Sequence, residues 1–193
     1  MREILSRSFI RGMGKENTIA ILYIVFICTL ACIGSYYYIT PISYGVIFLA
    51  LIPIIFIRQI PSSCYPLYLY GISLALLWQT SMLGNYIVGN DIFGELKVVR
   101  YVIENGFSTN IDGGNDTVFS TTILSPTLAS WGISPVFQFK VLYPMWFAIT
   151  PVVIYFVFKR YFSTQISFLN NQNWMLLQVI RRMRIQIADL MLI

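Results

Sequence analysis

The sequence predicts an all-α, polytopic membrane protein with about four transmembrane helices and a large extracytoplasmic loop that contains short surface helices. Three observations lead to this prediction. Of the 193 residues, 57% are hydrophobic and only 11% are charged, whereas soluble domains carry about 25% charged residues. Several apolar runs approach or exceed the roughly 20 residues that a helix needs to cross a bilayer. Cations cluster at the ends of these runs, as they do at cytoplasmic membrane boundaries.

Composition also excludes several kinds of functional site. The chain contains no histidine, so the commonest general base and the commonest zinc ligand are both absent. The formal net charge of +5 is spread over short clusters of cations. Such clusters indicate membrane topology and argue against a nucleic-acid partner. Cys28, Cys32 and Cys64 lie in or beside apolar runs and are interpreted as apolar packing residues.

The first two apolar runs predict a transmembrane helical hairpin over residues 18–58. Thr18–Ile39 is nearly uncharged and long enough to cross a bilayer. Ser43–Ile57 is shorter, and a turn at Thr40-Pro41 separates the two runs. Because so few residues join them, the simplest interpretation is two antiparallel spans.

Two further spans are predicted at 64–88 and 139–158, with an outer loop over 89–138 between them. Pro144 and Pro151 are expected to kink the last span. Membrane helices tolerate such kinks where neighbouring groups satisfy the carbonyls that proline leaves unpaired.

The positive-inside rule orients these spans. Residues 1–17 are basic, which places the N-terminus in the cytoplasm and the loop 89–138 outside, in a multi-pass protein of the cell membrane. The charge-free segment 118–137 contains many Ser and Thr residues. It predicts one or two short helices at the membrane surface, with Trp131 at headgroup depth.

Residues 161–193 contain a polar break at Asn170-Asn171-Gln172-Asn173. They are either a cytoplasmic tail with an interfacial helix over 174–193 or an unnatural tail on a truncated reading frame. Asn115-Asp116-Thr117, in the outer loop, is an N-glycosylation sequon.

An amphipathic helix is predicted directly after the third span. Asp91 and Glu95 lie together on it, whereas Lys97 and Arg100 lie on roughly the opposite side. Its apolar residues recur at helical spacing: Ile92, Leu96, Val99 and Ile103.

The two neighbouring carboxylates of this helix allow two interpretations. Like charges four residues apart repel, so the helix dipole, a bound cation or a shared proton must compensate. Asp91 and Glu95 are either a solvated helix cap and its first-turn neighbour, or a catalytic or metal-binding site at the outer membrane surface. In the second case one carboxylate accepts a proton from a substrate hydroxyl, or holds a divalent cation against a phosphate leaving group.

The order and spacing of three stretches resemble a family of large archaeal membrane proteins. These are the acidic helix GNDIFGELKVVRYVIENG, the Ser/Thr/Pro-rich STTILSPTLASWGISP and the apolar VFQFKVLYPMWFAITPVVIYFVFKRYF. That family is similar to the GT-C superfamily of glycosyltransferases, which transfer a sugar from a polyprenyl-phosphate-type donor. The GT-C-like segment corresponds to residues 64–160.

The resemblance implies that Asp91 is the catalytic or metal-associated acid, supported by Glu95, with Mg²⁺ or Mn²⁺ as a possible cation. The family pattern has His two residues after the acid, where this chain has Phe93. Members of the superfamily also have more spans, so the resemblance implies an N-terminal fragment or a diverged member. Such a chain would act as an enzyme once a missing C-terminal part completes it.

Three cations near the predicted outer surface are candidates for contact with a lipid. Lys97, Arg100 and Lys140 can bind a lipid phosphate, for which arginine offers bidentate geometry. The alternative is that they contact membrane headgroups without binding a substrate.

Two other functions remain open on the sequence alone. One is a non-catalytic membrane subunit or scaffold that binds another membrane chain through its outer loop. The other is a transporter, with Gln79 and Asn85 as its main polar groups. The transporter is less favoured because no charged residue lies in the middle of the first four predicted spans.

Overall fold

The computed structural model describes residues 14–84, 87, 90–106 and 119–172, apart from the side chains of Lys15, Thr40, Asn90 and Asp91. The described residues form an all-helical fold, and none of them lies in a β-strand. The predicted all-α class is thus confirmed. The main helices in this part of the chain are α1 (Lys15–Tyr36), α2 (Thr40–Ile55), α3 (Tyr65–Ser81), α4 (Asn90–Asn105), α5 (Ser125–Ser130), α6 (Pro135–Phe158) and α7 (164–172).

Two of these helices, α1 and α6, are long and apolar enough to cross a membrane. The part of α1 that could cross a membrane is Glu16–Tyr36, and in α6 it is the whole of Pro135–Phe158. α6 therefore begins before the predicted span 139–158. Two apolar helices of this kind are compatible with a membrane protein. α2 is apolar but shorter.

The predicted third span, 64–88, is shorter than expected. Its helix ends at Ser81, and Gly84 has a φ of +55°, a left-handed conformation that glycine adopts without steric cost. Just beyond the helix end, the carbonyls of Leu83 and Gly84 accept hydrogen bonds from a side chain of α6, as described below.

The α1–α2 hairpin turns at Tyr38, which has a φ of +55°. The amide of Ile39 donates to the carbonyl of Gly34 at 2.8 Å, a bond typical of a Schellman helix ending. The turn predicted at Thr40-Pro41 is displaced, because these residues begin α2. Proline is favoured in the first turn of a helix, where its missing N–H has no intrahelical acceptor.

α3 is the central helix of the bundle. Ten of its seventeen residues are buried. By contrast, only 33% of the most apolar stretch of α1 and 28% of that of α6 are buried. α3 contacts α1, α2 and both halves of α6. The side-chain Nε2 of its Gln79 donates to the carbonyl of Ser43 at 2.8 Å, and the backbone carbonyl of Gln79 accepts from the Ser35 hydroxyl at 2.6 Å. The central position thus provides this less apolar helix with hydrogen-bond partners on both α1 and α2.

α7 packs back onto the bundle and belongs to the predicted tail, 161–193. Asn171 donates to the carbonyl of Pro151 in α6. Gln172 donates to the carbonyl of Ala50 in α2 at 2.7 Å. Both amide side chains are buried. The Asn-rich stretch was expected to be a polar break between segments, but its described part is a helix that binds two neighbouring helices.

Candidate functional site

α4, the predicted acidic helix, packs through a face that differs in part from the predicted one. Leu96 and Val99 are buried as expected, but Ile92 is 41% exposed and Ile103 is 46% exposed. The other buried apolar residues of this helix are Val98 and Val102. The buried face is therefore rotated, because the segments that α4 contacts decide which residues are covered.

Glu95 lies in the middle of this buried face and is itself half-buried. At helical periodicity it is the neighbour of the residues three, four and seven positions later, which are Val98, Val99 and Val102. The sequence predicted a carboxylate beside the apolar stripe, whereas the structure places Glu95 within the packed face.

Asp91 begins the same helix one turn earlier, but its side chain lies outside the described part of the structure. Among the described side chains, no group of three His, Cys, Asp or Glu residues could hold a metal ion. The divalent cation at Asp91 therefore stays a prediction. The predicted sequon at Asn115 and the predicted interfacial helix over 174–193 also lie outside the described residues.

Lys97 and Arg100, the predicted phosphate contacts, lie on the exposed face of α4. The Lys97 ammonium sits over the ring of Phe93, 5.0 Å from its centroid, in a cation–π contact. These cations thus occupy a different face from the half-buried Glu95, as the helical spacing predicted.

Lys140, the third predicted phosphate contact, is placed differently from the prediction. Only 9% of this residue is exposed. Its Nζ donates to the carbonyl oxygens of Gly84 at 2.6 Å and Leu83 at 3.3 Å. The prediction was wrong because it treated a lysine close to the chain's polar loop as a surface residue. The flexible stem instead delivers the ammonium to carbonyls beyond the end of α3.

Two π-helical turns lie against or close to α4: Ser120–Leu124 and Gln138–Leu142. Single π turns are rare and occur frequently at functional sites. Each turn begins six residues before a proline, Pro126 and Pro144 respectively. A proline cannot donate to the carbonyl four residues earlier and clashes with it, so a wider turn relieves the contact.

Polar side chains that are buried or partly buried lie on these two turns or directly after them. We call this set the polar cluster, and it consists of Thr121, Thr122, Ser125, Gln138 and Tyr143. The Tyr143 hydroxyl donates to the carbonyl of Ser120 at 2.9 Å and is also hydrogen-bonded to the Ser125 hydroxyl. Because the phenolic proton is engaged by that carbonyl, the Ser125 hydroxyl is the donor to Tyr143.

Gln138 fixes the other side of the polar cluster. Its Nε2 donates to the carbonyls of Ser125 at 3.1 Å and Ile133 at 2.8 Å. The side chain is fully buried, and its Oε1 has no hydrogen-bond partner among the described residues. A buried acceptor without a partner is uncommon, so this oxygen is available to a group that enters the cluster.

Tyr143 links the polar cluster to the helix that carries Glu95. The ring of Tyr143 packs against the apolar cluster of Leu96, Val99 and Phe139, and its hydroxyl is hydrogen-bonded to the Ser125 hydroxyl and the Ser120 carbonyl. Leu96 directly follows Glu95 along α4. The described geometry therefore brings the helix that carries a candidate base against a hydrogen-bonded tyrosine.

Sequence reasoning did not identify Tyr143, Ser125 or Gln138 as site residues. The sequence offered two signals. One is the number of Ser and Thr residues in the charge-free segment 118–137, and the other is the presence of Pro126 and Pro144 near these residues. Neither signal indicates by itself that the two segments face each other.

Searches among protein families, curated proteins and solved structures found no match to this chain. Its function is accordingly inferred from its own residues and geometry.

Proposed function

We propose that this chain forms the acid-bearing part of a membrane glycosyltransferase of GT-C type. It transfers a sugar from a polyprenyl-phosphate-type donor to an acceptor hydroxyl at the outer membrane surface. The placement of Glu95 supports this proposal most directly. A half-buried carboxylate within an apolar face is unfavourable and marks a candidate functional group, and the ring of Tyr143 packs against the apolar cluster that contains Leu96, the next residue of α4.

In the proposed reaction, a carboxylate of Asp91 or Glu95 accepts the proton of the acceptor hydroxyl. The acceptor oxygen attacks the anomeric carbon of the sugar and forms the new glycosidic bond. The bond between that carbon and the phosphate oxygen breaks, and the polyprenyl phosphate leaves with the electron pair. A divalent cation at Asp91 would neutralise charge on the leaving phosphate.

The proposal places α1, α2, α3 and α6 across the membrane, with the N-terminus in the cytoplasm and α4 and α5 outside. Large apolar side chains that are exposed on α1 and α6 support this arrangement. They include Leu22, Val25 and Phe26 of α1 and Val153 and Phe156 of α6.

The test compares Asp91→Asn and Glu95→Gln with the matched control Glu104→Gln, which changes an exposed carboxylate of the same helix. Transfer from a polyprenyl-phosphate-linked radiolabelled sugar is measured in membranes that contain the full-length protein. We expect the first two variants to lose activity by about 10²- to 10⁴-fold, the range for a general base. The control should retain its rate. Near-normal transfer by both Asp91→Asn and Glu95→Gln, with normal insertion, would contradict the proposal.

A second candidate function is a non-catalytic subunit that binds another membrane chain through its outer segment. The outer face of α4 favours it, because Ile92, Phe93 and Ile103 are apolar and between 41% and 50% exposed. This function predicts that the protein co-purifies with a second membrane chain after mild solubilisation. Recovery only as a monodisperse, partner-free species counts against it.

A further inference from the structure

We infer that Lys140 is a positioning residue, which fixes the end of α3 and thereby the place where the acidic helix α4 begins. This inference rests on the proposed function, since it assigns a role in presenting Asp91 and Glu95. The contacts involved are called the α3–α6 bridge and are made by Ser81, Leu83, Gly84 and Lys140.

One half of the α3–α6 bridge is the buried ammonium group of Lys140. It donates to the carbonyls of Gly84 and Leu83, just beyond the end of α3. A cation near the carbonyl end of a helix is stabilised both by hydrogen bonds and by the helix dipole. Because burying an ammonium without partners is costly, the side chain is held to these two carbonyls.

The other half of the bridge is a hydrogen bond that α3 donates to α6. The Ser81 hydroxyl donates to the carbonyl of Lys140 at 2.9 Å. That carbonyl lies four residues before Pro144 and has lost its usual amide donor. Each segment therefore donates to carbonyl oxygens of the other.

The bridge controls α4 because the connection between them is short. Six peptide units separate Gly84 from Asn90, a reach of at most about 20 Å. Gly84 also lies against Tyr38, since a Cβ atom built on it would be 2.5 Å from the Tyr38 hydroxyl oxygen. Ile87, within the connection, packs against the Leu96–Val99–Phe139 cluster. With Gly84 and Ile87 both held, the start of α4 has little freedom.

The experiment compares Lys140→Met with Lys140→Arg, Ser81→Ala and the control Glu104→Gln in lipid nanodiscs. Glu104→Gln removes an exposed charge from α4 and keeps the bridge. Backbone amide exchange over residues 87 and 90–96 is measured alongside sugar transfer by the full-length protein.

We expect Lys140→Met to accelerate amide exchange at the start of α4 by about 10-fold or more, a sign of local opening. It should lower kcat by about 100-fold, a loss typical of a small displacement of catalytic groups, while KM for the donor changes little. Lys140→Arg should restore part of the wild-type exchange rate and kcat, Ser81→Ala should show a smaller effect than Lys140→Met, and Glu104→Gln should show none.

The inference is overturned if folded Lys140→Met exchanges like the wild-type protein over 90–96. If Lys140→Met does not fold, Ser81→Ala decides the question, because unchanged exchange at the start of α4 in that variant also overturns the inference. A wild-type protein without transfer activity, in which the exchange response is still seen, refutes the proposed function and leaves the bridge established.

Discussion

Two prolines of this bundle leave a helix carbonyl without its usual amide donor, and a hydroxyl group of a neighbouring helix donates to that carbonyl instead. Pro53, inside α2, deprives the carbonyl of Leu49 of its usual donor, and the Tyr23 hydroxyl donates to that oxygen. Ser81 does the same for the carbonyl that Pro144 leaves unpaired. The prediction that neighbouring groups satisfy such carbonyls is confirmed in the case of Pro144.

The hydrogen bond between Ser125 and Tyr143 leads to the first residue-scale prediction. Tyr143→Phe removes the hydroxyl that joins Ser125 to the carbonyl of Ser120, and each single variant should lower the free energy of unfolding by about 1 kcal/mol. Ser125→Ala combined with Tyr143→Phe should cost less than the two single changes together, because the singles destroy one shared bond.

The measurement for this pair is a double-mutant cycle in mixed micelles, with unfolding driven by a denaturing detergent. Coupling between membrane side chains averages about 0.6 kcal/mol in such cycles. Strictly additive effects of the two substitutions would show that the bond contributes nothing, and a control cycle of Ser130→Ala with Tyr143→Phe should be additive.

At this scale the sequence predicted which residues are charged and which share a helix, but not what covers them. The helical spacing correctly separated Lys97 and Arg100 from Glu95. It did not identify Glu95 as the middle of the packed face, since that depends on the two π turns on the facing segments. Lys140 was misplaced for a similar reason, because its acceptors lie just beyond the end of α3, at sequence separations of 56 and 57 residues.

At the scale of helices, the close contact between α1 and α3 depends on the small size of Gly71. A Cβ atom at this position would overlap the side chain of Ile24, and the Cys28 thiol contacts the Gly71 carbonyl at 3.7 Å. Small residues allow membrane helices to approach closely in this way.

Gly71→Ala is therefore expected to destabilise the protein by about 1–3 kcal/mol, as overpacking does. Gly45→Ala is the matched control, because nothing lies within 4 Å of a Cβ at that position in α2. The control should be neutral or stabilising by about 0.5–1 kcal/mol, since alanine favours a helix over glycine. Detergent-driven unfolding measures both variants.

A background variant tests the cause of this difference. Ile24→Ala removes the atoms that an alanine at position 71 would meet, so Gly71→Ala should cost little in that background. An equal cost with and without Ile24 would assign the effect to the glycine backbone and contradict the packing explanation.

Apolar runs were sufficient to predict that these helices exist, but not where they end. The ends are set by contacts between segments that are distant in sequence. Carbonyls just beyond the end of α3 bind Lys140, and α6 begins before the predicted span because Gln138 and Lys140 donate to carbonyls outside that helix. Polar residues that appear to interrupt a run can therefore lie within a helix.

For the whole molecule, the distribution of cations predicts that opposite ends of the bundle lie on opposite sides of a membrane. Gln59 follows α2 and Ser130 ends α5, and both are exposed. In a cysteine-free background, Gln59→Cys should react with a membrane-impermeant maleimide only from the cytoplasmic side. Ser130→Cys should react only from the outer side.

Labelling is measured in intact cells and in inverted vesicles. Reaction of both positions from the same side would disprove the proposed four-span arrangement. Reversal of both positions would keep the spans and reverse the orientation, which would place the acidic helix in the cytoplasm.

The helical class of the molecule was predictable because composition and run length determine it. The arrangement of the helices was not, since the sequence indicates only neighbours that are joined by short connections, such as α1 and α2. The packing of α7 against α2 depends on a contact between residues 122 positions apart, and local periodicity has no information about such a pair.

The central position of α3 has a consequence for biogenesis. This helix is the one that depends most on protein neighbours, and its Gln79 and Ser73 are buried against them. In the proposed four-span arrangement it emerges only after α1 and α2, and a nascent helix whose polar groups lack partners enters lipid poorly. Under that proposal the order of the chain provides α3 with a docking surface before it leaves the insertion machinery, so a defect in α1 is expected to be seen first as rapid degradation of the newly made protein.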